Sequence, residues 1–71
     1  MNDLGLRIKV RPDPARENVT EVILEHVDAS GGARLVQRLS GHPADVWGRK
    51  RAIETGRLQA GLRGFDFVIE G

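Results

Sequence analysis

The stretch from Pro43 to Gly64, PADVWGRKRAIETGRLQAGLRG, is the only segment of the chain long enough for a substantial helix, and strand-like segments lie on both sides of it. One helix among strands restricts the chain to a sheet with a single covered face, an α+β arrangement. The expected helix has marked ends. Pro43 suits the first helical position because its missing amide hydrogen would have no partner there. Asp45 in the first turn complements the helix dipole, and Gly64, just after Arg63, suits a C-terminal cap.

Leu4 to Arg11 alternates without a fault, with Leu4, Leu6, Ile8 and Val10 on one face and Arg7, Lys9 and Arg11 on a wet one. Pro12 and Pro14 stop that strand, because neither can donate to a ladder. Val19–Asp28 and Ala33–Ser40 then read as a hairpin around Ser30, Gly31 and Gly32. A two-residue turn at the glycines sets Glu25 against Arg38, Val27 against Val36 and Leu24 against Leu39. A three-residue loop sets Ile23 against Leu39, Val27 against Leu35 and Asp28 against Arg34. Adjacent glycines accept the positive φ values of the shorter turn and favour it. Apolar residues on both faces near Val22 to Leu24 leave the buried side open. After Gly64, FDFVIE alternates again and puts Phe65, Phe67 and Ile69 on one buried face.

Residues 1–71 are therefore expected to form a single small α+β domain in the order β-β-β-α-β, a mostly antiparallel sheet with the helix on one face. That order resembles the one in small antitoxin-like domains with a truncated ribonuclease H fold, a likeness of topology that implies no function.

The helix carries two apolar stripes where one sheet can cover only one. Val46, Ile53 and Ala60 form the first; Ala44, Trp47, Leu58 and Leu62, with Arg51 and Thr55 among them, form the second on roughly the opposite side. Either Gly56 breaks or kinks the helix so that its halves turn different faces inward, or the helix stays straight and another chain buries the second stripe. Gly48, Gly56 and Gly61 each cost about 1 kcal/mol against Ala in a helix interior, which favours the break.

Charge narrows the function classes. Eleven basic residues stand against 10 acidic, which argues against a protein built mainly to sit on nucleic acid. The acids concentrate in Pro12 to Ser30 and the bases in the helix, so an acidic and a basic side are expected. The absence of Cys removes disulfides and thiolate metal sites and points to a reducing, cytoplasmic setting. With no apolar run longer than Val22 to Leu24 and no signal-like N-terminus, no membrane role is expected.

His26 and His42 lie 16 residues apart with no Cys to complete a metal site. No Gly-x-Ser-x-Gly elbow or Walker-type loop is present, and the pair Glu21 and Glu25, four apart on one strand face, is too common a pattern to argue acid–base chemistry. The expectation is a non-enzyme with no catalytic residue, metal or cofactor, and no small-molecule substrate. Its expected role is a binding module working through protein contacts and self-association, with Trp47, Arg51, Leu58 and Leu62 as the contact surface. The alternative is nucleic-acid binding through Arg49, Lys50, Arg51, Arg57 and Arg63. Local pairs of Glu54 with Lys50 and with Arg57 would take up part of that charge, and no exposed aromatic tract accompanies it.

Overall fold

The alternation of the first strand decides where the core sits. A computed structural model describes residues 5–71; Leu4, assigned to this strand above, lies outside the described residues. Strand β1 (Leu6–Pro12) pairs antiparallel with β2 (Val19–Val27), matching Ile8 to Leu24 and Val10 to Val22 on one face and Arg7 to Glu25, Lys9 to Ile23 and Arg11 to Glu21 on the other. Ile8, Val10, Val22 and Leu24 are buried and form the core beneath the helix.

Near its turn the hairpin from β2 to β3 (Ala33–Pro43) adopts neither expected register, and only from Val22 onward does it fall into that of the three-residue loop. Val27 pairs with Ala33, His26 with Arg34 and Glu25 with Leu35, while two irregularities farther along shift Ile23 onto Arg38 and Val22 onto Ser40. The turn is made by Asp28 rather than by paired glycines. Its carboxylate accepts from the amides of Ser30 and Gly32 and from the Ser30 hydroxyl. Only Gly31 takes a positive φ, 86°, so the double-glycine turn does not form.

Strand β3 runs on through Gly41, His42 and Pro43, three residues past its expected end. Pro43 is thus a strand terminus instead of the first helical residue, tolerated because β3 is an edge. The helix α1 (Val46–Arg63) is capped by Asp45, whose side chain accepts from the Gly48 amide at 2.7 Å. At its far end Gly64 takes the left-handed conformation, φ 71°, as expected of a C-terminal cap.

Helix α1 carries the chain from one edge of the sheet to the other. Strand β4 (Asp66–Ile69) then pairs parallel to β1, giving the order β3-β2-β1-β4 with α1 touching all four strands. This is a small, mostly antiparallel α+β domain with one helix on one face. Phe65 and Phe67 pack against the core as expected, but Ile69 is exposed.

The face without a helix is not wet. Ile23 is fully buried there, and Lys9, Glu21 and Glu25 are also buried. Arg11 Nε donates to Glu21 at 2.7 Å, Arg7 donates to Glu25, Lys9 pairs with Glu70, and Arg38 lies 3.2 Å from Asp13 and 3.7 Å from Glu21. The aliphatic stems of these long side chains roof over the sheet, with the Glu21 and Glu25 carboxylates buried beneath them in ion pairs. The acids of β2 are thereby neutralised by β1 and β3, not by the helix, and the expected division into an acidic and a basic side does not arise in that form.

Candidate interaction surface

The helix meets the sheet through its smallest residues. Gly48, Ala52, Gly56 and Ala60 recur every four positions and are its buried row, with Ile53 half-buried beside them. A Cβ on Gly56 would lie 2.6 Å from Cε1 of Phe67 and 2.9 Å from Cγ2 of Val10; one on Gly48 would fall on the Pro43 carbonyl oxygen. The helix does not break at Gly56, which is the site of closest approach inside an unbroken α1. Of the first apolar stripe only Ala60 and, in part, Ile53 turn inward, and Val46 is 80% exposed. The small residues read as a helix penalty are the ones that let α1 lie down on the strands.

The large apolar residues are left outside. Trp47 is 71% exposed, Leu58 60% and Leu62 73%, and Arg51 between them is exposed too. Together with Thr55 they follow one flank of the helix, roughly 120° around from the buried row. That flank looks toward β3, because Arg51, Glu54, Thr55 and Leu58 share with His42 of β3 a hollow of about 360 Å³. Lys50 Nζ sits 5.8 Å from the Trp47 ring centroid, covering one side of the indole. The four residues expected to form a contact surface are thus brought onto one flank.

The five basic residues of the alternative reading are not brought together in the same way. Arg51 belongs to the β3 flank, whereas Arg57 lies over the Phe67 ring at 5.9 Å on the β4 flank. Arg49 is half-buried, and Arg63 donates from Nε to Gln59 one turn back. Glu54 makes no ion pair with Lys50 or Arg57, and both cations lie over aromatic rings instead.

Reasoning from the sequence missed one polar pair. Ser40 Oγ and His42 Nε2, two apart on β3, share a hydrogen bond of 3.0 Å. The i, i+2 spacing on a strand was its only signal. A nucleophile and base need a third group to orient the ring, and among the described residues no hydrogen bond reaches the other nitrogen of His42. A further hollow, of about 530 Å³, opens between Arg16, Asn18, Val19 and the Arg38 to Pro43 end of β3, where Arg38 is already engaged by Asp13 and Glu21. No cluster of three or more His, Cys, Asp or Glu residues that could hold a metal occurs among the described residues, and no helix described is long and apolar enough to cross a membrane.

Among the described residues the pKa values are displaced clearly at two carboxylates. The Ser30 hydroxyl, and after it the Gly32 amide, hold Asp28 below the usual carboxylate range; the hydrogen bond from Lys9, then its charge, does the same for Glu70. Both groups serve structure, one the hairpin loop and the other the ionic roof. Comparison of the chain with protein-family models gives no match, and neither curated proteins nor solved structures give one.

Proposed function

We propose that the protein is a small non-enzymatic binding module that acts in the cytoplasm through protein contacts, and that it self-associates through the β3-side flank of α1. The observation that carries this reading is the exposure of Trp47, Leu58 and Leu62 together on an unbroken helix whose inner row is Gly and Ala. A chain of 71 residues has little apolar bulk to spare, and of the eight large apolar side chains exposed among the described residues three, Trp47, Leu58 and Leu62, share this flank. Trp and Leu side chains exposed along one flank are the residue types of an interface anchor, and Arg51, between Trp47 and Leu58, supplies a polar contact.

Light scattering over a range of concentrations and at two salt levels, with and without a mixed-sequence duplex, tests the reading. The expected result is a mass that rises with protein concentration and is indifferent to salt and to duplex. A monomer that gains mass only on duplex at low salt would replace this reading with nucleic-acid binding by Arg49, Lys50, Arg51, Arg57 and Arg63. Trp47, the sole Trp, supplies a parallel signal: its emission shifts to the blue as association removes the indole from water.

A further inference from the structure

We infer that the partner on this flank is a second copy of the chain, docked with its α1 antiparallel to the first about a two-fold axis that passes between Glu54 and Thr55. This rests on the self-association reading and adds the geometry. An axis at that point sets Trp47 against Leu62 of the second copy, Arg51 against Leu58 and Glu54 against Thr55, and each pairing is repeated by symmetry. Every large residue on the flank then finds an apolar or aliphatic partner. The stem of Arg51 lies along a leucine, with Glu54 of the other chain about one turn away along the seam.

The parallel alternative fails on charge. It would set Arg51 on Arg51 and Glu54 on Glu54, with both indoles crowded at one end and four leucines at the other. Strand pairing at the β3 edge fares no better. The charged residues of β3 are Arg34 and Arg38, with no acid, and two register shifts bend the strand, so two β3 edges would meet as like-charged, irregular partners. The area is of the right order: Trp47, Leu58 and Leu62 expose on the order of 400 Å² between them, about half of the ~800 Å² per partner of a stable interface. Arg51, Glu54, Thr55 and the hollow beside His42 extend the surface beyond those three.

The cysteine-free chain permits a direct test by single spin labels and dipolar distance measurement. Labels would be placed in separate preparations through Val46→Cys and Arg57→Cys, both exposed positions off the seam. Along the helix direction the antiparallel arrangement offsets the two copies of position 46 by about 25 Å but the two copies of position 57 by only about 8 Å, in addition to the ~8–10 Å between the helix axes that both positions share. A longer distance at 46 than at 57 is the expected result; equal short distances at both would overturn the antiparallel seam while leaving self-association in place. Leu58→Asp is expected to weaken the dimer at least thirtyfold with unchanged circular dichroism, and a dimer that survives it would overturn the surface itself. A wild-type chain that is monomeric at every concentration, with concentration-independent Trp emission, would remove both the inference and the reading beneath it.

Discussion

Gly56 of α1 rests on the ring of Phe67, so close that a methyl group in its place would lie 2.6 Å from Cε1. The helix and the last strand meet at a point where only hydrogen fits.

Gly56→Ala is therefore expected to destabilise the fold by about 1 kcal/mol, because overpacking of about 1–3 kcal/mol outweighs the gain of about 1 kcal/mol in helix propensity. Gly61→Ala is the control. Apart from its own turn of helix, nothing lies within 4 Å of where its Cβ would stand, so it should stabilise by up to about 1 kcal/mol. Urea denaturation of both variants at one protein concentration checks the opposite signs.

Removing the helix cap has a separate cost. Asp45→Ala leaves the Gly48 amide without its acceptor and should lower stability by about 1 kcal/mol, read from thermal melts, whereas Asp45→Asn should retain most of it.

On the face away from the helix, Lys9 matters for its stem as well as its charge. Lys9→Met keeps the cover over Ile23 and is expected to cost little, while Lys9→Ala opens a fully buried Ile23 to water and should cost about 1–2 kcal/mol. Equal losses in the two variants would show that the pairing with Glu25 and Glu70, not the covering, is what counts.

Asp28 organises the hairpin loop only when ionised. Its folded pKa is depressed, so the stabilisation it brings is present above the value of an unfolded aspartate and is lost as pH falls through the folded value. The amide resonances of Ser30 and Gly32 are expected to titrate together below the range of an unstructured Asp, and Asp28→Ala should abolish that transition.

Much of this architecture was legible because alternation is a strong signal. Arg7 to Arg11 announced both faces of β1, and Gly64 announced the end of α1. The flank bearing Trp47, Leu58 and Leu62 was legible from spacing alone. The inward face of α1 was not, because hydrophobic patterning ranks residues by apolar bulk whereas a helix lying close to a sheet selects them by smallness; Gly48 and Gly56 therefore read as breakers. The hairpin register was hidden by a side chain, since Asp28 builds the loop that glycines were expected to make, and by two irregularities in β3 that no period reveals. The burial of Ile23 was hidden for the reverse reason: cations usually mark solvent, and here their stems exclude it.

The ionic roof has a consequence for how the chain finds its pairing. A slip of β1 by one residue would push Arg7, Lys9 and Arg11 under α1 and set one of Ile8 and Val10 opposite a glutamate and the other opposite Ile23. In the native pairing these ion pairs add little over well-packed apolar side chains, but in the slipped one their ionised groups would be entombed without partners. Their weight is thus felt in the competitor, and the charges of β1 and β2 act as a proofreading device for the sheet.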